Sequence, residues 1–212
     1  MRQTHGPEGL REPVPDRLGR LVVSDDTQMT LFTLEALTLA LPTQMPPPFT
    51  KNLLRPFQAA CRQAYLHWGD TPGVNLPGGV PGTGPFADLC HSPALRQQRA
   101  PGNTCLAAVR AGALGTPEAP VNQSKGCGAV MRTAPLGLID TGPACAQALG
   151  DAAGALTQGH LDGWLPGGVL SAMVRRLLQG ADIASAAQHT LRQLASHPHP
   201  DPVAVQRSGR PL

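Results

Sequence analysis

Proline and glycine interrupt this chain so often that they limit the length of any regular element in it. The 24 glycines and 23 prolines together exceed a fifth of the 212 residues, which is above average usage. The densest stretch, residues 69–86, reads GDTPGVNLPGGVPGTGPF and is too rich in both residue types for regular structure. We expect this stretch to form a mobile loop between helical segments.

Between these interruptions the apolar residues recur at helical spacings. Leu31, Leu34 and Leu41 follow this pattern in the first segment, which stops at Pro42 because proline ends a helix. Expected helices cover residues 25–41, 56–68 opened by Pro56, 104–113 capped by Asn103, 143–158 opened by Pro143, 170–178, and a last one capped by Asp182 that runs through Leu194. No alternating run of β-branched residues predicts a strand. The sequence therefore predicts an all-α fold, a single compact helical domain.

Charge and apolar content argue against several classes of protein. The formal charge of +3 is mild and the basic residues are scattered, which disfavours nucleic-acid binding. No apolar run approaches the length of a membrane span, and no signal peptide precedes the polar start. We therefore expect a monomeric cytoplasmic protein.

The cysteines do not suggest a zinc site or a disulfide framework. None of them forms a C-x-x-C pair, and their number is odd. We expect most to be small buried thiols in a reducing cytoplasm. They are Cys61, Cys90, Cys105, Cys127 and Cys145.

The run Ser24-Asp25-Asp26-Thr27-Gln28-Met29 carries the clearest chemical signal. Two adjacent carboxylates between hydroxyls offer the all-oxygen ligands that Mg²⁺ prefers. The same residues also fit an ordinary helix start, in which Asp25 and Gln28 form a capping box. Taken alone, the run is more typical of a helix start, since acids are common there.

Two polar clusters in the middle of the chain suggest loops that a ligand could approach. The first is the segment RAPGNT at residues 99–104, and the second is NQSKGCGAVMRTAPLG at residues 122–137. Gly126 and Gly128 lie on either side of Cys127, directly before a run of small apolar residues. Backbone N–H groups there could bind phosphate or hydroxyl oxygens. A tight structural turn would require the same glycines.

Together these segments resemble the ADP-ribosylglycohydrolase family, in particular its bacterial members. The matching stretches are SDDTQMTLFTLEAL (24–37), RAPGNTCLAAV (99–109), NQSKGCGAVMRTAPLGL (122–138) and ALTQGHLDGWL (155–165). The resemblance implies an all-α domain with a two-metal Mg²⁺ site. It also implies hydrolysis of the glycosidic bond between ADP-ribose and a protein side chain or related acceptor.

The resemblance also implies roles for individual residues. The expected metal ligands are Ser24, Asp25 and Asp26. The residues expected to line the ADP-ribose pocket are Ser124, Gly126, Cys127, Gly128, Met131, Arg132 and Gln158. For Arg132 we favour a structural role, because an arginine on such a loop often bonds nearby carbonyls. The general base is not identified. The expected partner is an ADP-ribosylated protein or an ADP-ribose derivative.

Four departures from the family pattern lead us to expect an incomplete site. The chain begins after the family's Gly-Asp-Ala loop, and it contains no Asp-x-Asp-Ser/Thr motif. Gln158 stands where the family places a histidine, and Pro166-Gly167-Gly168 interrupts an expected helix. We expect residues 1–197 to form a partial domain truncated at both ends, with a disordered or aberrant tail at 198–212.

Three interpretations of these departures stay open. The chain could cover only part of an active enzyme, could be a truncated and catalytically dead homologue, or could be a non-catalytic ADP-ribose-binding or structural helical protein. With half of the two-metal ligand set missing, we expect weak Mg²⁺ binding and no measurable hydrolysis.

Overall fold

In a computed structural model of the chain, the described residues are 12, 15, 17, 19, 21–41, 51–71, 89, 91–97, 100–112 and 114–198. Most of the expected loop at 69–86 and almost all of the expected tail at 198–212 lie outside these residues. Within them, none of the helices is both long and apolar enough to span a bilayer.

The described part of the chain is built from helices and contains no strand, so the all-α prediction is confirmed. Its α-helices are α1 (Asp25–Ala40), α2 (Leu54–Asp70), α3 (Asn103–Arg110), α4 (Pro143–Ala155), α5 (Leu161–Leu178) and α6 (Ile183–Leu194). Short 3₁₀ turns occupy Lys51–Leu53, Val130–Arg132 and Ala134–Gly137.

A single large core lies between α1, α2, α3 and α4. Met29 and Phe32 of α1 are fully buried in it together with Phe57, Tyr65 and Trp68 of α2. Each side chain of this size contributes about 1.5–3 kcal/mol when it is removed from water. This core fixes the start of α1, where the adjacent carboxylates Asp25 and Asp26 lie. We call these two residues the acidic pair.

Helices α4 and α5 pack against each other at very short range because glycines meet at their contact. A Cβ atom at Gly150 would lie 2.6 Å from the Cα atom of Gly168, and a Cβ atom at Gly168 would lie 2.8 Å from the Gln147 carbonyl oxygen. The expected break at residues 166–168 is therefore wrong: α5 runs continuously through them. Pro166 is exposed, so its ring meets no neighbouring helix, while Gly167 and Gly168 are buried.

Two further boundary predictions are corrected. The N-cap of α3 is Gly102 rather than Asn103, and α2 begins at Leu54, so that Pro56 is its third residue. Proline is tolerated in the first turn because the N–H groups there have no partner within the helix. The predicted cap at Asp182 is confirmed, since its carboxylate accepts a hydrogen bond from the Ser185 N–H at 2.9 Å.

Candidate functional site

The two carboxylates of the acidic pair differ in burial and in hydrogen-bond partner. Asp25 is buried, and its Oδ2 atom accepts a hydrogen bond from the Gly102 N–H at 2.9 Å. Asp26 is exposed, and its Oδ2 atom accepts a hydrogen bond from the Ser24 hydroxyl at 2.6 Å. The capping-box interpretation is wrong, because Gln28 donates instead to the carbonyl oxygens of residues 95 and 97.

The electrostatics of Asp25 favour a nearby cation. Burial raises the pKa of its carboxyl from the ordinary 3.8, the Gly102 N–H opposes this rise, and the charge of Asp26 adds to it. Among the described residues, no salt bridge joins either carboxylate to a basic side chain. A cation bound beside both carboxylates would relieve their repulsion and lower this pKa.

The first turn of α3 connects the acidic pair to the glycine loop, which we define as residues 124–128. Gly102, the N-cap of α3, holds Asp25, and the Thr104 hydroxyl lies 3.2 Å from the Ser124 hydroxyl. About one turn of α1 further on, the Thr30 hydroxyl donates to the Met131 carbonyl oxygen at 3.2 Å. The acidic pair and the glycine loop, 100 residues apart in sequence, are thereby held together.

The glycine loop rests on a buried support. Gln158 is 1% exposed, and its Nε2 atom donates to the Cys105 sulfur at 3.6 Å. A Cβ atom at Gly128 would lie 2.5 Å from Gln158 Nε2 and 2.8 Å from Cys105 Sγ. A larger residue at position 128 would therefore displace the side chains of Gln158 or Cys105, while Gly126 and the free thiol of Cys127 are exposed.

Asn122 fastens the glycine loop to the segment before α5. Its side-chain Nδ2 atom donates to the Thr157 carbonyl oxygen at 2.9 Å, and its Oδ1 atom accepts from the Ser124 and Gly159 N–H groups at 3.0 and 2.9 Å. His160 caps α5 by accepting from the Asp162 N–H at 3.1 Å. No separate role was predicted for Asn122 from the sequence, although an Asn before a glycine loop is typical of such a turn.

Arg132 lies wholly inside the core, below the glycine loop. Its Nη2 atom donates to the Ala153 carbonyl oxygen at 2.9 Å and to the Thr157 hydroxyl at 2.8 Å, and its Nη1 atom contacts the Cys105 sulfur at 3.4 Å. Its guanidinium carbon lies 4.6 Å from the centre of the Tyr65 ring, a cation–π geometry. These contacts agree with the structural role that we favoured for Arg132.

A family model described as ADP-ribosylglycohydrolase matches residues 1–210 of the chain. The chain belongs to the ADP-ribosylglycohydrolase family. No curated protein and no solved structure matches it.

ADP-ribosylglycohydrolases generally depend on a metal ion, and the acidic pair fits such an ion in its chemistry. Asp25, Asp26 and the exposed Ser24 hydroxyl are hard oxygen donors beside one another. In number they fall short, since no group of three or more His, Cys, Asp or Glu side chains in the described residues could hold a metal. These residues alone would leave an Mg²⁺ ion largely hydrated.

The residues that the ADP-ribosylglycohydrolase resemblance pointed to divide into two layers. Ser24, Asp26, Gly126 and Cys127 are exposed or lie at the edge of the protein. Gln158 and Arg132 are buried beneath the glycine loop, and Met131 is half-buried against the main core. The first group is accessible to solvent, whereas the second is buried or half-buried beneath it.

Proposed function

We propose that the activity of this chain is hydrolysis of the glycosidic bond between ADP-ribose and a protein side chain or related acceptor, with Mg²⁺ bound through Ser24, Asp25 and Asp26. We propose further that this activity is impaired in the 212 residues, because the described metal ligands are too few. Membership of the ADP-ribosylglycohydrolase family supports this class of hydrolysis and an ADP-ribosylated substrate. The described free cysteines Cys61, Cys105, Cys127 and Cys145 are compatible with the cytoplasmic location that we propose.

One observation carries the proposal. Hydrogen bonds connect the acidic pair to the glycine loop through the first turn of α3. A metal bound at Asp25 and Asp26 would therefore lie on the same side of the protein as a sugar phosphate bound at the loop. Such proximity is what a metal-assisted reaction at a ribose requires.

The chain's own residues have separate tasks in this site. Gly102 fixes Oδ2 of Asp25 and the Ser24 hydroxyl fixes Oδ2 of Asp26, which leaves the other oxygen of each carboxylate to bind and orient an ion. The exposed backbone at Gly126 and Cys127 allows close approach of ribose and phosphate oxygens. When bound, Mg²⁺ supplies electrostatic stabilisation to the ribose hydroxyls and to an attacking water.

The first test concerns Mg²⁺ affinity. Because the described ligands are two carboxylates and a hydroxyl, we expect the 212-residue chain to bind Mg²⁺ weakly, with a Kd of about 1 mM. Asp25→Asn keeps an oxygen for the Gly102 N–H and removes the charge, so calorimetry should show no Mg²⁺ binding by this variant. Asp140→Asn, which removes an exposed charge elsewhere, is the matched control and should bind as the parent does.

The pH dependence of Mg²⁺ binding provides a second readout. A protonated carboxyl does not bind Mg²⁺, so affinity should fall as the pH is lowered towards the raised pKa of Asp25. Tight binding of two Mg²⁺ ions per chain would contradict the incomplete site and favour a full ligand set.

The second test concerns turnover. Loss of one preorganised group can reduce the rate about a hundredfold or more, so the 212-residue chain should release no measurable labelled ADP-ribose from an ADP-ribosylated protein. It should still bind ADP-ribose, and Gln158→His alone should not restore release, because Gln158 is buried below the loop. The measurement is release with Mg²⁺ and with a chelator.

The outcomes of this experiment separate the interpretations. Robust release that a chelator abolishes would disprove the incomplete site and keep the hydrolase. Binding of ADP-ribose without release is the result expected for the impaired hydrolase, whereas such binding that is independent of Mg²⁺ would favour the non-catalytic binding protein. Absence of both binding and release would refute a functional ADP-ribose site in this chain.

A further inference from the structure

A cleft of about 450 Å³ lies between α2, α4, α5 and the end of α6. Leu54, Gln147, Trp164 and His197 are among its lining residues, and none of the candidate-site residues lines it. Its volume is within the range of small-molecule sites, which combine apolar walls with a few polar groups. The proposed hydrolase does not use this cleft.

A hydrogen-bond relay fixes the orientation of the amide in the cleft wall. Arg176 Nη2 donates to Gln193 Oε1 at 2.7 Å, and Gln193 Nε2 donates to Gln147 Oε1. Because an arginine side chain only donates, Gln193 must present its oxygen to Arg176 and its nitrogen to Gln147. Gln147 must then present its oxygen to Gln193, and its Nε2 atom points away from the relay.

The end of this relay is a donor without an acceptor. Gln147 is 2% exposed, and its Nε2 atom has no hydrogen-bond partner among the described residues. Buried amide groups are almost always paired in folded proteins. An acceptor supplied by a ligand would satisfy this donor.

The remaining lining residues specify what kind of acceptor fits. Asp151, in contact with His197 at 2.9 Å, and Glu118 line the cleft, and the described lining contains no lysine or arginine. An anionic acceptor would be repelled, so a neutral carbonyl oxygen is favoured. Trp164 and Leu54 provide apolar surface for a ring.

We propose that this cleft binds a small neutral aromatic or heterocyclic amide whose carbonyl oxygen accepts a hydrogen bond from Gln147 Nε2. Three probes of nearly the same shape test the proposal by calorimetry on the full chain. Benzamide and acetophenone, which are both neutral and carry the carbonyl oxygen, should bind, whereas the anion benzoate should bind about tenfold more weakly or worse.

Two variants place an acceptor oxygen where the parent presents the Gln147 Nε2 donor, each in a different way. Gln147→Glu replaces the donor with an oxygen. Gln193→Glu pairs with Arg176 and accepts from Gln147, which turns the Gln147 oxygen towards the cleft. Each variant should lose about tenfold in affinity for acetophenone, which only accepts hydrogen bonds, and lose less in affinity for benzamide, whose N–H₂ group can donate to the reversed oxygen. The second variant keeps the shape of the lining residue Gln193 and adds an ion pair with Arg176, so its folding is not endangered.

Gln58→Glu is the matched control, since it adds the same charge to the cleft wall and leaves the Gln147 donor in place. It should keep the preference for benzamide over benzoate. The proposal is overturned if benzoate binds the parent as well as benzamide does. It is equally overturned if no probe binds at millimolar concentration, or if Gln193→Glu leaves the ratio of benzamide to acetophenone affinity unchanged.

Discussion

Arg132→Ala is expected to destabilise the chain by about 3–5 kcal/mol, through a buried cavity and lost hydrogen bonds. The Ala153 carbonyl and the Thr157 hydroxyl would each lose the donor that Arg132 Nη2 provides. Since a domain is stable by only about 5–15 kcal/mol, this loss could unfold it. Denaturant unfolding followed by the fluorescence of the buried Trp68 and Trp164 measures the effect.

The guanidinium itself carries this effect, because Arg132 is held by neutral groups among the described residues. Burial raises the pKa of Cys61 to about 12, so that thiol stays neutral beside Arg132. No described carboxylate forms a salt bridge with Arg132. Its charge is balanced by the carbonyl, hydroxyl and sulfur acceptors and the Tyr65 ring.

Two conservative variants separate charge from geometry. Arg132→Lys keeps the charge without the planar fork, and Arg132→Met keeps the bulk without charge or donors. Both should be less destabilising than alanine and more so than an exposed change such as Arg192→Ala. An Arg132→Ala variant within about 1 kcal/mol of the parent would refute the structural role.

Gly159→Ser is the second change with a large expected effect, about 3 kcal/mol of lost stability. A Cβ atom at Gly159 would lie 1.9 Å from the Asn122 carbonyl oxygen and 2.9 Å from the Asn122 nitrogen. These are backbone atoms, so no rotation of a side chain can relieve the clash. The glycine loop would have to move, and ADP-ribose binding should be lost with it.

Gly142→Ser makes the same change in open space. A Cβ atom there meets nothing within 4 Å, and Gly142 is the N-cap of α4, where serine is favourable. Thermal unfolding should show this variant unchanged or slightly more stable. Equal melting temperatures for the two serine variants would contradict the close contact between Gly159 and Asn122.

The local sequence was sufficient to predict helix ends that depend on residues close to them in the chain. The start of α1 at Asp25, the start of α4 at Pro143 and the cap at Asp182 are found where they were predicted. Periodicity and end residues act within one or two turns, so they can be read along the chain. The break predicted at Pro166 was wrong, because the packing of α5 on α4 keeps the helix continuous through this residue.

The candidate site shows the same division. The residue types at Asp25, Asp26, Gly126 and Gly128 pointed to the family and to an oxygen-rich site. The hydrogen-bond partners of the neighbouring residues could not be predicted. Gln28 donates to the carbonyl oxygens of residues 95 and 97 and does not cap its own helix. Nothing in the sequence around His197 indicated that this residue contacts Asp151 at 2.9 Å.

By itself, the sequence determined the all-α class, most helix starts and the family, because these depend on periodicity, end residues and motifs that lie within short segments. The tertiary structure alone decided which of the motif residues are buried. It set Arg132 and Gln158 beneath the glycine loop and ended the amide relay at Gln147. The physical reason is that burial and hydrogen-bond partners are set by packing between helices distant in sequence, which no local pattern encodes.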